Sequence, residues 1–221
     1  MFLAVLGASG QTGVHLVQRA LDKKHRVLAL VRDTDKMNGL VRDDSLEVVQ
    51  VDVMSEDSIA AQLEGRELDV VISCLGRTDR KSREPSTFHS DSMREVVGAM
   101  RRAKVKRLVC VSCWWTVSWP QDGRPWWYRW FVQSGWSATH EDLAEMEEFI
   151  TMSCTDINYT IVKPPIFLTD GPMDTRELKA AQLEQVPFSG FRPSLSRANL
   201  ARFLLFILGT TKWNSRKVAV L

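Results

Sequence analysis

Short apolar runs alternate along this chain with segments in which apolar residues recur every three or four positions. The first run, Met1–Leu6, is followed by such a segment, Val14–Leu21, and then by a second run, Arg26–Arg32. Short apolar runs are typical of strands buried on both faces, and the wider spacing is typical of amphipathic helices. The start of the chain therefore predicts a strand, a helix and a second strand within about 30 residues.

The same alternation continues to the end of the chain. Further strands are predicted at 46–51, 68–75, 107–112, 158–162 and 217–221, and helices at 55–63, 88–104, 139–152 and 197–208. Strands that alternate with helices predict a parallel sheet covered on both faces, which is an α/β, Rossmann-like, doubly wound fold. We expect one domain over residues 1–221, in which the C-terminal third forms a small cap on the substrate side.

Two of these helices carry more detailed signals. Ser55 is predicted to cap the helix at 55–63, and Thr139 with Asp142 is predicted to form a capping box in the helix at 139–152. The apolar face of that second helix is predicted to consist of Leu143, Met146, Phe149 and Ile150. Its solvated acidic face is predicted to consist of Glu141, Asp142, Glu145, Glu147 and Glu148.

The segment between the first strand and the first helix is rich in glycine, with the sequence Gly7-Ala8-Ser9-Gly10-Gln11-Thr12-Gly13. A turn of this kind presents backbone N–H groups and a helix N-terminus to a pyrophosphate. Gly7 would permit the tight turn, Gly10 the approach of the diphosphate, and Gly13 the close packing of helix and strand. We interpret the segment as a dinucleotide-binding turn. The alternative is a turn that uses glycine for steric reasons alone.

The residues after the second and third strands bear on which dinucleotide is bound. Arg32 follows the second strand directly and Lys36 lies four residues on, so both are placed to accept the 2′-phosphate of NADP. The alternative is NAD, with its ribose held by Asp33. At the end of the third strand, Asp52 is placed to accept a hydrogen bond from adenine and Val53 to form an apolar wall. The alternative for Asp52 is an ordinary strand-ending aspartate.

Composition excludes several other classes of protein. The 29 Lys and Arg residues against 27 Asp and Glu give a net charge of +2, which provides no strong basic field for nucleic acid. Four unevenly spaced cysteines predict no disulfide framework, and four scattered histidines predict no metal site. No apolar run reaches the ~18 residues of a membrane span, and no leader segment is evident. We expect a reduced, soluble, cytoplasmic protein.

Taken together, several short segments resemble a known family. They are the glycine turn 7–13, Leu30-Val31-Arg32-Asp33, Asp52-Val53, Leu75-Gly76, Val111-Ser112, Lys163-Pro164-Pro165 and 194–203. In these segments the chain is similar to the atypical short-chain dehydrogenases/reductases with an NAD(P)-binding, NmrA-like fold, and most of all to the biliverdin-IXβ reductase/flavin reductase (NADPH) group. The resemblance implies a monomer that passes a hydride from NADPH to a flavin, a tetrapyrrole or a quinone-like acceptor.

The resemblance also implies roles for residues at matching positions. The phosphates would be held by Gly7, Ser9, Gly10, Gln11, Thr12 and Gly13. The 2′-phosphate would be held by Arg32 and Lys36, and adenine would be flanked by Asp52 and Val53. The path to the nicotinamide would be lined by Leu75, Gly76 and Arg77. The nicotinamide would lie beside Ser112, and its far side would be walled by Pro164, Pro165 and Ile166.

The chain departs from this family on the substrate side. The flavin and biliverdin reductases carry a histidine directly after the Pro-Pro pair, where this chain has Ile166. Tyr159 and Lys163 have the spacing of the usual catalytic tyrosine and lysine, but they fall on a predicted strand, where four residues span ~13 Å. Ser112 is therefore the one polar catalytic candidate. Without a stronger acid, the easiest reaction is hydride transfer to an acceptor that takes its proton from water.

A tryptophan-rich segment, residues 113–136, follows the fifth strand and contains seven of the eight tryptophans. We interpret Trp114 and Trp115, with Phe167, as walls for a small planar substrate. The alternatives are a satellite hydrophobic cluster and a patch that contacts a protein partner or a membrane surface. Cys110 and Cys113 have Cys-x-x-Cys spacing but lie across an apolar strand end, which favours buried thiols.

Three functional hypotheses remain from the sequence. The first is an NADPH-dependent oxidoreductase that acts on a planar conjugated acceptor. The second is a non-catalytic NADP(H)-binding sensor of the NmrA type, which presents the tryptophan-rich segment to a protein according to cofactor state. The third is an isomerase or epimerase, for which the sequence offers no positioned acid–base pair.

Overall fold

The computed structural model describes residues 1–76, 86–116, 137–165, 167–173, 178–182 and 194–221. The strands within this part are β1 (Phe2–Leu6), β2 (Arg26–Val31), β3 (Leu46–Gln50), β4 (Val70–Ser73), β5 (Arg107–Val111), β6 (Asn158–Lys163), β7 (Phe167–Thr169), β8 (Ala180–Gln182), β9 (Ser194–Ser196) and β10 (Arg216–Val220). The α-helices are α1 (Gln11–Asp22), α2 (Thr34–Leu40), α3 (Glu56–Leu63), α4 (Phe88–Arg102), α5 (Ser137–Ser153) and α6 (Arg197–Phe206).

Eight of the described strands form one sheet in the order β3-β2-β1-β4-β5-β6-β10-β8. Neighbouring strands are parallel except at the edge, where β8 runs antiparallel to β10. The strand order reverses between β1 and β4, which is the topological switch point at which α/β sheets bind ligands. The predicted Rossmann-like, doubly wound fold is confirmed. A small parallel pair, β7 with β9, lies apart from the main sheet.

The sheet is buried on both faces because helices cover each of them. Leu3 and Val5 of β1 point into a core that includes residues of α1 and α6. Ala4 and Leu6 point into the opposite core, which includes residues of α3, α4 and α5. The near-continuous apolar strands of the sequence follow from this double burial. None of the described helices is long and apolar enough to cross a membrane.

Some local predictions hold and others fail. Ser55 caps α3, since its hydroxyl accepts the backbone N–H of Ser58 at 3.3 Å. The capping box in α5 is wrong, because that helix already begins at Ser137 and Asp142 binds another helix. Helix α2, which buries only Met37, and the three-residue strands β7, β8 and β9 have no counterpart among the predicted elements. Elements this short bury too few residues to produce a period in the sequence.

Candidate cofactor and substrate site

The glycine turn joins β1 to α1 at the switch point of the sheet. Gly7 has a φ of +70°, and a Cβ atom built there would lie 2.6 Å from the carbonyl oxygen of Cys74, just after β4. A Cβ atom on Gly13 would lie 2.2 Å from the carbonyl oxygen of Gly7. Gly7 therefore excludes a side chain because of both its positive φ and its close contact with Cys74. Gly13 excludes one because of its close contact with Gly7 alone. The turn closes with Gly10 N–H donating to Gly7 O at 2.9 Å.

The helix that follows this turn begins without a side-chain cap. Gly10 is its N-cap residue and has no side chain with which to accept a hydrogen bond. The first bond of the helix is donated by Val14 N–H to Gly10 O at 3.0 Å, so the N–H groups of residues 11–13 precede it. A helix N-terminus of this kind attracts an anion through its free N–H groups and its dipole. The arrangement fits a pyrophosphate.

An open pocket of about 450 Å³ lies beside the ends of β2 and β3. It is lined by Arg32, Gln50, Val51, Asp52 and Ser58. The Gln50 amide donates to the Arg32 carbonyl oxygen at 3.2 Å, which connects the two strand ends. Arg32 is exposed and is one of the residues that line this space. Val53, by contrast, is buried in the core rather than in the lining.

Asp33 and Lys36 belong to the first turn of α2. The Asp33 carboxylate accepts the backbone N–H of Lys36 at 2.9 Å and so caps that helix. The Lys36 side chain is exposed. Two residues after β2 bear on cofactor choice. Arg32 lines the pocket, whereas Asp33 is not in the lining and caps α2 through its Oδ1 atom.

Two further predicted residues follow β4, next to the glycine turn. Leu75 is half-buried and Gly76 is exposed, and a Cβ atom on Gly76 would meet no atom within 4 Å. This edge of the sheet is therefore open at Gly76. Arg77 and Ile166 lie outside the described residues.

Ser112 lies directly after β5 and is nearly buried. Its hydroxyl donates to Oε1 of Glu147 at 2.5 Å. Glu147 belongs to α5 and is only 2% exposed. The hydroxyl of Thr116 donates to the same Oε1 atom.

The Glu147 carboxylate is also paired with two lysines. Lys163, the last residue of β6, is fully buried and places Nζ 2.8 Å from Oε2 and 2.7 Å from Oε1. Lys163 also donates to Thr116 Oγ1 at 2.5 Å. Lys217 of β10 is 37% exposed at its side chain and places Nζ 3.1 Å from Oε2. We name Ser112, Thr116, Glu147, Lys163 and Lys217 the Glu147 cluster.

Glu147 is a carboxylate in this setting. Burial by itself would raise its pKa, but the charge of Lys163 and the hydrogen bonds from Lys163, Ser112 and Thr116 outweigh burial. The net result is a pKa below the ordinary value of 4.5. Four donors thus converge on one buried anion beneath α5, at the carboxyl ends of β5 and β6.

The prediction that the acidic residues of α5 form a solvated face is wrong at two positions. Glu147 is buried in the cluster just described, and Asp142 is 3% exposed and caps α4. The spacing contained a signal for Glu147, which stands four residues after Leu143 and three before Ile150, within the apolar stripe. Lys163 had a weaker signal, because it ends a buried strand two residues after Ile161.

The aromatic candidates are placed only in part. Trp114 lies in a short 3-10 turn (Trp114–Thr116), and its backbone N–H donates to Pro164 O at 3.1 Å. It is 2% exposed, so its ring offers no open face to a substrate in this arrangement. Pro164 and Pro165 are also buried. The side chains of Trp115 and Phe167, and the tryptophans at 119–136, lie outside the described residues.

The remaining sequence candidates are arranged as follows. Tyr159 and Lys163 both lie on β6, so they do not share a helix face. All four cysteines are free thiols, and burial raises the pKa of Cys110 and raises that of Cys74 to about 12. The Sγ atom of Cys113 lies 3.9 Å from Nε2 of His140. Within the described residues, no group of three His, Cys, Asp or Glu side chains is placed to hold a metal ion.

With this geometry established, residues 7–211 match the family model described as NAD(P)H-binding. The chain belongs to the NAD(P)H-binding family. The matched range begins at Gly7, the first residue of the glycine turn, and extends past α6. A nicotinamide dinucleotide is therefore the cofactor, and the uncapped N-terminus of α1 is the part of the structure that suits its pyrophosphate.

Individual relatives of this family member are distant. An uncharacterized chloroplastic protein of Arabidopsis thaliana is 30% identical over 170 residues, which cover 76% of this chain and 60% of the relative. A candidate NADH-flavin reductase of Streptococcus pneumoniae has a TM-score of 0.75 at 18% identity, covering 100% of this chain and 99% of its own. Anaerobillin reductase of Escherichia coli O157:H7 has a TM-score of 0.76 at 17% identity, covering 100% and 97%. These two structures share the fold with this chain. The match to the Arabidopsis protein covers about 60% of the length of that relative.

Proposed function

We propose that this protein is an NADPH-dependent reductase of a planar conjugated acceptor, such as a flavin, a biliverdin-like tetrapyrrole or a quinone. We further propose that it belongs with the atypical, NmrA-like short-chain dehydrogenases/reductases. The observation that carries the proposal is the placement, along one edge of the sheet, of the uncapped α1 N-terminus, the Arg32 pocket and Ser112. The fold shared with a candidate flavin reductase and with anaerobillin reductase supports the class of acceptor.

The preference for NADP over NAD rests on the two residues after β2. Arg32 lines the pocket and has a planar, permanently charged guanidinium group that suits a phosphate. Asp33 would have to bind the ribose hydroxyls of NAD while its Oδ1 atom accepts the Lys36 N–H, which holds the carboxylate at the start of α2. Lys36 remains exposed on the same helix and is proposed as a second ligand of the 2′-phosphate.

The other candidate residues are assigned to parts of the cofactor and the substrate as follows. We assign the phosphates to Gly7, Ser9, Gly10, Gln11, Thr12 and Gly13, the adenine to Asp52, which lines the pocket, and the path to the nicotinamide to Leu75, Gly76 and Arg77. We assign the nicotinamide surroundings to Ser112, Pro164, Pro165 and Ile166, and the substrate wall to Trp115 and Phe167, since the ring of Trp114 is buried. The described geometry favours the phosphate assignment most, because the helix N-terminus there is free of any side-chain cap.

The bound cofactor supplies the hydride. One acceptor, one NADPH and one proton give the reduced acceptor and NADP⁺, so a proton source is needed. The Ser112 hydroxyl is not a ready source, since its single hydrogen is directed at Glu147. Lys163 is fully buried beneath α5. An acceptor that takes its proton from water suits this arrangement better than a ketone, whose developing alkoxide needs a donor.

One observation also favours a second function, that of a non-catalytic NADP(H) sensor. In the described part of the chain, the hydroxyl and ammonium groups at the ends of β5 and β6 all point at Glu147 rather than outward. A protein that binds the cofactor without reducing a substrate has no need of an outward-facing acid.

Turnover separates the two functions. Purified protein would be mixed with NADPH or NADH and with FMN, biliverdins or quinones, and the loss of reduced-nicotinamide absorbance followed. We expect turnover with at least one acceptor and a preference for NADPH. Tight NADPH binding with no turnover on the whole panel would refute the reductase and favour the sensor. The Arg32→Asp variant should shift the cofactor preference towards NADH. The control is Arg42→Asp, which changes an exposed residue just after α2. An unchanged preference would refute the 2′-phosphate assignment.

Three expectations from the sequence remain proposals. A monomeric state is proposed and would be measured by analytical ultracentrifugation. A cytoplasmic location is proposed on composition alone, and the Arabidopsis relative is chloroplastic. Contact of the tryptophan-rich segment with a protein or a membrane surface is proposed on its sequence alone.

A further inference from the structure

The Glu147 cluster contains more charge than a buried structural contact needs. Two ammonium groups and two hydroxyl groups surround one carboxylate, and both Lys163 and Glu147 are almost completely removed from solvent. Taking these charges out of water costs several kcal/mol per ion, and well-packed apolar residues of similar volume often give equal or greater stability. Fold stability alone therefore gives no reason for this ion pair at the edge where ligands bind.

The two hydroxyls of the cluster differ in what their oxygen atoms accept. Thr116 Oγ1 already accepts a hydrogen bond from Lys163 Nζ at 2.5 Å. Ser112 Oγ gives its single hydrogen to Glu147, and no donor among the described residues reaches its lone pairs. Ser112 is consequently held as an acceptor, with an oxygen that can bind an N–H or O–H group of a ligand.

The direction of the Ser112 hydrogen depends on the charge of Glu147. A carboxylate accepts hydrogen bonds only, so Ser112 must donate to it. A protonated carboxyl group would carry a hydrogen of its own and could reverse the bond. Lys163 and Lys217 both keep Glu147 ionised by their charge, Lys163 from the interior and Lys217 from the solvent side.

We propose that Glu147, held as a carboxylate by Lys163 and Lys217, is a positioning residue that keeps Ser112 as a hydrogen-bond acceptor for the carboxamide N–H of the nicotinamide. The inference rests on the proposed function only in that NADP(H) is the ligand and Ser112 is its neighbour. It assigns Ser112 to holding the nicotinamide and not to donating a proton to the acceptor.

Equilibrium binding tests the proposal without any turnover. Dissociation constants would be measured by calorimetry for three ligands: NADPH, its 3-acetylpyridine analogue, which lacks the carboxamide N–H, and 2′,5′-ADP, which lacks the nicotinamide. The variants are Ser112→Ala and the paired Glu147→Leu/Lys163→Met, which replaces the ion pair by apolar side chains. The matched control is Glu148→Leu, which changes the neighbouring, exposed glutamate.

Both test variants should bind NADPH about tenfold more weakly. A tenfold loss of affinity corresponds to the net contribution of about one hydrogen bond. Their affinities for 2′,5′-ADP and for the acetylpyridine analogue should match those of the unmodified protein. Combining Ser112→Ala with the paired variant should cause no further loss of NADPH affinity, because Glu147 acts on the nicotinamide only through Ser112. Glu147→Gln keeps an acceptor oxygen and should retain most of the NADPH affinity.

Other results overturn the proposal. If the variants lose as much affinity for 2′,5′-ADP as for NADPH, the cluster acts on the fold alone. If the losses of NADPH affinity in Ser112→Ala and in the paired variant add up when combined, Glu147 does not act through Ser112. Should the paired variant fail to fold, Ser112→Ala decides: an unchanged NADPH affinity, or an equal loss for the acetylpyridine analogue, refutes the contact. A protein that binds NADPH but reduces no acceptor would refute the reductase, while these affinities would still decide the role of Glu147.

Discussion

The carboxylate of Asp142 caps a helix other than its own: its Oδ1 atom accepts the backbone N–H of Ser90 in α4 at 2.8 Å. Its Oδ2 atom accepts the N–H of His89 at the same distance. Asp142 lies on α5, so one buried side chain fixes the start of α4 to the helix that also carries Glu147. A carboxylate at a helix N-terminus satisfies free N–H groups and complements the dipole.

Removing this cap should destabilise the protein. Asp142→Ala leaves two buried N–H groups without their acceptor, and we expect the free energy of unfolding to fall by about 3 kcal/mol. Urea denaturation followed by circular dichroism measures it. Glu141→Ala changes the preceding, exposed residue of the same helix and should have little effect. Equal losses in both variants would contradict the capping role.

Asp33 offers a test of cofactor choice that is independent of Arg32. Because its carboxylate caps α2 through Lys36, Asp33→Ala should cost about 1 kcal/mol of stability. The ratio of NADPH to NADH affinity should stay unchanged, since we assign Asp33 no contact with the ribose. Asp33→Ser, which can cap the helix, is the control for stability. A selective loss of NADH affinity in Asp33→Ala would instead assign Asp33 to the ribose.

Gly13 and Gly39 form a matched pair of helical glycines. A Cβ atom on Gly13 would lie 2.2 Å from backbone atom Gly7 O, whereas one on Gly39 would meet nothing within 4 Å. Gly13→Ala should therefore displace α1 from the turn, cost about 3 kcal/mol and weaken cofactor binding. Gly39→Ala should stabilise the protein by about 0.5–1 kcal/mol through helix propensity. Thermal denaturation with and without NADPH measures both, and equal effects would contradict the packing described.

The lowered pKa of Glu147 predicts how stability depends on pH. Because the folded-state pKa lies below the ordinary 4.5, the stabilisation is fully present above that value and is lost as the pH falls through the folded-state pKa. Lys163 and Lys217 are the charged groups that face Glu147. The stability difference between the protein and Glu147→Gln should therefore be constant from pH 7 down to the ordinary pKa of 4.5 and shrink as the pH falls below it. Glu148→Gln is the control, and a difference independent of pH would contradict the prediction.

Much of the architecture could be predicted from the sequence because burial requires apolar residues at regular spacings along strands and helices. Most strands of the parallel part of the main sheet are apolar on both faces and appear as short runs with nearly correct ends. The half-exposed β3 at the edge of the sheet is predicted from its three apolar residues. The glycine turn could be predicted as well, because contacts as close as those of Gly7 and Gly13 admit no side chain. By contrast, α2 and the short strands β7 to β9 bury too few residues to produce a recognisable apolar spacing in the sequence.

The polar interior could not be predicted in the same way. Glu147 and Asp142 looked like members of a charged helix face, because charge in a sequence says nothing about which partners tertiary contacts bring near. Their partners come from α4, the residue after β5, β6 and β10, and each lies 16 or more residues away along the chain. Only the position of Glu147 within the apolar stripe of α5 hinted at its burial.

By itself, the sequence determined the doubly wound sheet, the strand–turn–helix that suits a pyrophosphate, and Arg32 as the first residue after β2. These features depend on local spacing, which a sequence displays directly. Tertiary structure alone decided that Asp33 caps a helix, that Trp114 is buried, and that Ser112 donates to a buried carboxylate held by Lys163 and Lys217. Such relationships join residues from separate elements, and the register of those elements exists only once the sheet and its helices have packed together.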